Sequence, residues 1–258
     1  MGTALVTGAT SGLGEEFCWQ LAVAGHDLVL VARRKPLLDD LAMRLRNVAG
    51  VNAEVIVADL TNPDELAFVT ARLDESGAPG GPAPVGLLVN NAGFGLGRAF
   101  ADDDLDRELG ALDVMVRAVM VLSHHAIRSM RARGRGAILN VASVASRTGA
   151  GTYSAHKAWI VAFTEGLSEE LRGTGVTASC VCPGPTKTPF FDNAGVDMSG
   201  TPDWMMSTPE EVVTEALDAV RVGRVLVTPT PTYKVMMAAM KIAPRSVVRR
   251  VMRSVPHM

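Results

Sequence analysis

Along this chain short, nearly continuous apolar runs alternate with longer stretches in which apolar positions recur every three or four residues. The runs are Thr3–Thr7, Asp27–Val31, Val51–Val57, Val85–Val89, Ala137–Val141, Val176–Val181 and Arg224–Val227. Each is too short for a helix and too uniformly apolar for a strand with one wet face, so each reads as a strand buried on both sides. The periodic stretches between them are Glu15–Ala24, Leu37–Val48, Pro63–Glu75, a long one over Asp104–Ala132, Gly151–Leu171 and Glu210–Val220, and these read as amphipathic helices. Strand and helix in strict alternation predict an α/β fold, a doubly wound parallel sheet with right-handed crossovers.

Composition narrows the picture. A chain of 258 residues, 48% of them apolar, suits one α/β domain of this kind, and the Gly77–Pro84 stretch is a surface loop rather than a linker, so a single domain over residues 1–258 is expected. The net charge of −2 gives no reason to expect nucleic acid as a partner. The longest apolar region, Ala111 to Ile127, is interrupted by Asp113, Arg117, His124 and His125, which predicts a buried helix and no transmembrane segment. The sequence starts directly on a strand, with no signal-like segment, and a cytoplasmic location is expected. Cys18, Cys180 and Cys182 read as small core residues, and no metal-ligand spacing occurs.

The candidate chemistry lies where strands end. Gly8-Ala9-Thr10-Ser11-Gly12-Leu13-Gly14 joins the first strand to the first helix, the position where glycines let a pyrophosphate reach backbone N–H groups. At the end of the second strand a dinucleotide fold carries an acidic residue for the ribose 2′-hydroxyl; here Ala32 is followed by Arg33 and Arg34, whose guanidinium forks suit a 2′-phosphate and point to NADP(H). Asp59-Leu60, Asn90-Asn91-Ala92-Gly93, Ser143 and Pro183-Gly184 each follow a strand's carboxyl end. Tyr153 and Lys157, one helical turn apart, share a face. At ~4 Å and an effective dielectric of ~20 the ammonium would favour the phenolate by roughly 4 kcal/mol, making the phenol a usable proton donor and acceptor.

These pieces, Thr7-Gly8-x-x-x-Gly12-x-Gly14, Asp59-Leu60, Asn90-Asn91-Ala92-Gly93, Ser143, Tyr153-x-x-x-Lys157 and Pro183-Gly184-x-x-x-Thr188, resemble in order and spacing those of the short-chain dehydrogenase/reductase family. The resemblance implies a Rossmann fold and hydride transfer between a nicotinamide and a carbonyl or secondary alcohol. It implies that Tyr153 is the general acid/base, that Lys157 lowers its pKa and holds the ribose, and that Ser143 bonds the substrate oxygen. It implies further that Asp59 and Leu60 flank adenine, Asn91 to Gly93 line the cofactor, and Thr186 and Thr188 close on the nicotinamide. Two positions depart from the family: Met115 stands where an asparagine orders relay water, and the loop from Ser143 to Tyr153 is short. The region 190–222 resembles the variable substrate lid; Phe190, Phe191, Trp204, Met205 and Met206 suggest an apolar substrate. The Met-rich tail, 231–258, carries Lys241, Arg245, Arg249, Arg250 and Arg253 and is expected to face solvent or another subunit. A homodimer or homotetramer through the two long helices is expected, and the alternative to an NADP(H)-dependent reductase is a cofactor-binding sensor or scaffold with little turnover.

Overall fold

The computed structural model describes residues 2–244 and 246–248. Seven parallel strands, β1 (Thr3–Thr7), β2 (Asp27–Ala32), β3 (Ala53–Val57), β4 (Val85–Asn90), β5 (Gly136–Val141), β6 (Val176–Val181) and β7 (Leu226–Val227), lie in the order β3-β2-β1-β4-β5-β6-β7. The chain walks outward from β1 to β3, then returns and walks the other way from β4 to β7. The carboxyl ends of β1 and β4, adjacent in the sheet, are therefore the switch point where an α/β sheet opens a crevice.

The uniformly apolar strands are explained by two cores. Ala4, Val6, Leu28, Leu30, Val89 and Leu139 face Phe17 and Leu21 of α1 (Gly12–Val23), Leu38, Leu41 and Leu45 of α2 (Lys35–Ala49), and Val212, Val213 and Leu217 of helix Pro209–Arg221. The alternate positions, Leu5, Val29, Val31, Leu88 and Ile138, face the opposite layer. That layer contains Leu66, Val69 and Leu73 of α3 (Pro63–Asp74) and the stretch from Leu105 to Ala132. Side chains alternate along a strand, so helices on both faces demand apolar residues at consecutive positions.

The long helix expected over 104–132 is present over Leu105–Ala132 but is not regular. It runs as α4 (Leu105–Leu112), a π turn over Asp113–Arg117, and α5 (Ala118–Ala132). By length and mean hydropathy, 1.2, Leu105–Ala132 would suit a membrane, but one face of it, Val114, Ala118, Leu122 and Met130, is buried in the core. Next comes α6 (Gly151–Glu170), which carries Tyr153 and Lys157 and packs Ile160 and Val161 on Cys180 and Cys182 of the β6 end. All three cysteines are free and buried, as small core residues would be.

After β6, α7 (Phe190–Ala194) forms in the lid, followed by α8 (Pro209–Arg221), whose start is fixed by a Thr208–Glu211 capping box. The tail forms α9 (Pro231–Ile242); Arg245, Arg249, Arg250 and Arg253, expected to make it basic, lie outside the described residues. Strands β3 and β7 are shorter than the apolar pattern suggests: Gly50 turns left-handed after α2 and delays β3 to Ala53, and β7, at the sheet edge, keeps only two residues in register.

A buried polar chain ties the central layers together. Asn90 Nδ2 donates to Ser123 Oγ of α5 (3.1 Å) and to Asn140 Oδ1 of β5 (2.9 Å), and Asn140 Nδ2 donates to Thr164 Oγ1 of α6 (2.9 Å). Unpaired buried polar groups are costly, so this chain fixes the register of two strands and two helices at once. Replacing Asn140 with alanine should destabilise the protein by about 1–3 kcal/mol in urea unfolding; a loss of a few tenths would mean that solvent replaces the chain freely.

Candidate active site

The glycine loop is shaped by its contacts. Gly12 has φ +54°, and a Cβ there would sit 3.2 Å from Thr188; a Cβ on Gly14 would run into the Gly8 carbonyl oxygen. Ser11 caps α1 without a side-chain hydrogen bond, which leaves N–H groups of the first turn free at the positive end of the helix. The loop is braced from β4. Thr7 Oγ1 donates to Val89 O (3.3 Å) and accepts from the N–H groups of Asn91 (3.0 Å) and Ala92 (3.1 Å), while Asn91 Nδ2 donates to Thr7 O (3.0 Å) and Gly8 O (3.4 Å). Thr7, which opens the glycine motif but is not among the expected site residues, is the centre of this brace.

At the mouth, Arg33 Nη1 lies 3.7 Å from Asp59 Oδ2, and Arg34 Nη2 donates to Thr10 Oγ1 (3.4 Å). Burial pulls the Asp59 carboxyl upward, but hydrogen bonds from the Thr61 N–H and hydroxyl, with the Arg33 charge, outweigh it and hold the carboxyl below its usual range. Two guanidinium groups thus stand beside the phosphate-cradling loop. The free N–H groups, the close approach left by Gly12 and Gly14, and this cationic mouth fit a dinucleotide.

Across the switch point, Lys157 is buried and donates from Nζ to Val141 O (2.8 Å), with its ammonium 5.5 Å from the Tyr153 ring centroid. A Cβ on Gly93 would be 3.3 Å from Met115 and 3.5 Å from Lys157 Nζ, so the thioether and the ammonium share one wall. Ser143 Oγ accepts from the Ala145 N–H (3.1 Å) and donates to Pro183 O (3.4 Å), which sets the hydroxyl at the start of the turn Val144–Arg147. The short loop to Tyr153 is filled by that turn and by Thr148 Oγ1 and Ser154 Oγ, 3.0 Å apart.

The Tyr153 phenol is not held below its ordinary range in this geometry. Burial pushes it well up, opposed by the Ser143 hydroxyl, while the neighbouring ammonium bonds the β5 carbonyl. Burial also pushes the lysine down to about 8, against the Cys180 and Cys182 sulfurs, which act to raise it. Of the expected cofactor residues, Asn90 is turned away, its amide spent inside the sheet. Gly12, Leu13 and Gly14 open α1, and Gly8, Thr10, Ser11, Asp59, Leu60, Asn91, Ala92, Gly93, Pro183, Gly184, Thr186 and Thr188 stand in loops or turns at the carboxyl edge of the sheet.

A family model described as short chain dehydrogenase matches residues 2–198. The chain belongs to the short-chain dehydrogenase family. Among relatives, a monensin polyketide synthase protein of Streptomyces virginiae, named for a ketoacyl reductase, is 36% identical over 232 residues, 86% of this chain and 83% of its own. A 7beta-hydroxysteroid dehydrogenase of Collinsella aerofaciens is 32% identical over 219 residues, 83% of this chain and 81% of its own. The structure of a short-chain dehydrogenase from Sphingobium yanoikuyae in complex with NADPH superposes with a TM-score of 0.85 at 31% identity, covering 100% of this chain and 99% of that one.

In this member of the short-chain dehydrogenase family, the segment after β6 lies over Tyr153. Phe190 lies 5.7 Å from Tyr153 between ring centroids, in a cluster with Leu96, Met115 and Ala145. A Cβ on Gly95 would be 2.7 Å from Ala194 Cβ, and one on Gly97 would strike the Ala194 carbonyl, so α7 lies directly on the loop after β4. Behind the lid, Tyr233 of α9 donates its hydroxyl to Met205 O (2.7 Å) and fills the space a side chain at Gly184 would need. Tyr233 was expected only as the start of a tail; no local pattern marks so distant a contact.

The Lys157 shift sets a pH dependence. Its folded pKa, about 8, lies below the ordinary 10.5, so the penalty for a buried ammonium is full below pH 8 and disappears as pH rises to 10.5. Tyr153 acts oppositely, but only above the ordinary phenol value of 10.0, where the unfolded chain loses its proton first. In melts without nucleotide, Lys157→Met should therefore raise stability at pH 7 and abolish the rise between pH 8 and 10; an unchanged rise would assign it to another group.

Proposed function

We propose that this chain is an NADP(H)-dependent oxidoreductase that interconverts a lipophilic ketone and its secondary alcohol. The observation that carries the reading is the grouping of Tyr153, Ser143 and Lys157 at the carboxyl edge of the sheet, beneath an aromatic lid and beside a glycine loop with two arginines at its mouth. Gly8, Thr10, Ser11, Gly12, Leu13 and Gly14 would cradle the pyrophosphate, Arg33 and Arg34 the 2′-phosphate, and Asp59 and Leu60 the adenine. Asn91, Ala92, Gly93, Pro183, Gly184, Thr186 and Thr188 would line the nicotinamide half. Bound there, the nicotinamide supplies or accepts hydride at the carbonyl carbon.

The rest of the chemistry belongs to the chain. As the substrate oxygen gains charge, the Ser143 hydroxyl stabilises it and Tyr153 gives it the phenolic proton. Burial keeps that proton on the phenol at neutral pH, so the donor form is the resting one. Lys157, held by the Val141 carbonyl, is the adjacent cation that stabilises the phenolate left behind. Phe190, Leu96 and Met115 pack against Tyr153 and exclude water, and Phe190, only half-buried, would give an apolar substrate its contact. Relatives named for ketoacyl and hydroxysteroid substrates support a bulky apolar carbonyl compound.

Exposed apolar residues on α4 and α5, Leu105, Leu109, Leu112 and Met120, support a homodimer or homotetramer through the two long helices. We place the enzyme in the cytoplasm. The reading of a sensor with little turnover rests on Met115 alone, since a thioether can neither donate nor strongly accept in a proton relay.

Arg33→Ala should weaken NADPH at least tenfold while leaving NADH nearly unchanged, because a hydrogen bond to a charged group contributes roughly 1.5–3 kcal/mol. Equal losses in a fluorescence titration would sink the 2′-phosphate assignment. Tyr153→Phe should lose more than a hundredfold in turnover of a bulky ketone and bind NADPH within about twofold of wild type, since only the acid is removed. NADPH binding without turnover of any ketone or alcohol by the wild type would favour the sensor.

A further inference from the structure

The amino edge of the sheet, opposite the crevice, holds a cavity of about 380 Å³. It opens where the first residues of β1, β4 and β5 meet the ends of α1 and α8 and the turn between α5 and β5. Leu21 of α1, Leu87 of β4, and Leu217 and Val220 of α8 give it an apolar floor. Gly86 stands in its wall at an irregularity of the sheet: Thr3 pairs with Val85 and Ala4 with Leu87, so Gly86 is an extra residue in β4. Bulges are rare between parallel strands. A Cβ on Gly86 would meet only Thr3 O, at 3.8 Å, so the space beside this residue is open.

The rim is cationic. Arg133, Arg135, Arg221 and His26 border the cavity, and among the described residues no Asp or Glu does. In a chain of net charge −2 this is a local excess of positive charge. Two of the arginines have local reasons to be there. Arg221 pairs with Asp218 (2.8 Å) in the last turn of α8, and Arg133, at the end of α5, donates to Ser129 Oγ (2.8 Å) and Val85 O (2.7 Å). Both also suit the negative end of a helix. Arg135 has no such reason: it lies beyond α5, is exposed, and makes no side-chain hydrogen bond or ion pair among the described residues. The acceptors of Arg133 are neutral, so its charge is not cancelled either. Burial and the charge of Arg135 pull that guanidinium below its ordinary range. Two like charges beside an apolar hollow repel one another, and an anion between them removes the repulsion.

We propose that this cavity binds an amphipathic anion, with a carboxylate or phosphate head on Arg133 and Arg135 and an apolar chain over Leu87 and Leu217. Guanidinium forks match both oxyanions, and the volume lies within the roughly 300–1,000 Å³ of a small-molecule site. The site is separate from the one proposed for catalysis, since it borders the amino ends of β1, β4 and β5, whereas Gly8 and Ser143 follow the carboxyl ends of β1 and β5. It stands independently of the reductase reading.

The test is isothermal titration of decanoate, decyl phosphate, decanol and inorganic phosphate into the full chain saturated with NADPH. Decanoate or decyl phosphate should bind as one equivalent, at least tenfold more tightly than decanol or inorganic phosphate, each of which lacks either the charge or the apolar contact. The tighter of the two names the head group, and equal affinities mean that either oxyanion serves. Arg135→Glu should weaken that probe at least tenfold, and Gly86→Leu, which fills the hollow, should do the same, both with NADPH affinity within twofold of wild type. If Gly86→Leu fails to fold, Arg135→Glu, at an exposed position, carries the same readout. No binding of either decyl anion, binding of decanol as tight as theirs, or affinity unchanged in folded Arg135→Glu would overturn the site.

Discussion

The hydroxyl of Thr7 holds the two central strands together at the point where the chain reverses its walk across the sheet. It joins the end of β1 to the first two residues after β4, and Asn91 returns the bond to the backbone of Thr7 and Gly8. The glycine loop on one side and the Gly93–Met115–Lys157 wall on the other both grow from this brace. Phosphate cradle and acid/base pair can be aligned with one another only if the strand ends do not slide. A parallel sheet fixes its strands by backbone bonds along their length, but its crevice lies beyond them, where side-chain bonds must do the same.

Inside the crevice, burial and charge compete. A cation 5.5 Å from the ring centroid, at an effective dielectric of ~20, would favour the phenolate by roughly 3 kcal/mol, yet the phenol is pushed upward. Desolvation of a fully enclosed phenolate is the larger effect, and the ammonium spends a hydrogen bond on Val141. The same burial drives the lysine down to about 8. The two shifts run in opposite senses for the proton: it is held more tightly on Tyr153 and more loosely on Lys157. The charge of a phenolate would oppose its own reprotonation by Lys157, since an adjacent anion favours the ammonium, so burial and charge compete for this proton as they do for the phenol.

Much of this was legible in the sequence because it depends on short-range pattern. Strands buried on both faces show as unbroken apolar runs, and the pairing of Tyr153 with Lys157 follows from helical spacing alone. Most departures of the structure from the sequence reading come from contacts between distant segments, and the rest from local turns of the backbone. Asn90 stands in the right motif, yet Ser123 and Asn140, far along the chain, turn its amide into the sheet. The continuous periodicity of 104–132 gives no sign of the π turn, since one extra residue per turn hardly disturbs an apolar stripe. The raised Tyr153 phenol has the same kind of cause: spacing places Tyr153 and Lys157 on one face, but only the fold supplies the burial that outweighs the cation and the Val141 carbonyl that bonds it.

The least legible part is the lid, and its physics differs from that of the sheet. No periodic pattern could announce that Gly95 and Gly97 lie directly on Ala194, or that Tyr233 reaches Met205 and fills the space beside Gly184. These contacts join the loop after β4, the lid and α9, three segments that the sheet itself does not fix. Thr230, at the start of α9, has φ +64°, a conformation costly for a β-branched residue and tolerable only because the surroundings over-determine it. Its N–H donates to Glu215 of α8, and Lys234 pairs with the same carboxylate. Helix α8 thus anchors α9, and α9 anchors the lid over Phe190 and Tyr153. Tyr153, Ser143 and Lys157 stand beside the sheet edge, whereas the segment over them depends on a chain of single contacts, each of which can change without disturbing the sheet. In the proposed function, substrate preference would therefore vary through residues far from Tyr153 while the geometry of the proposed acid/base pair stays fixed.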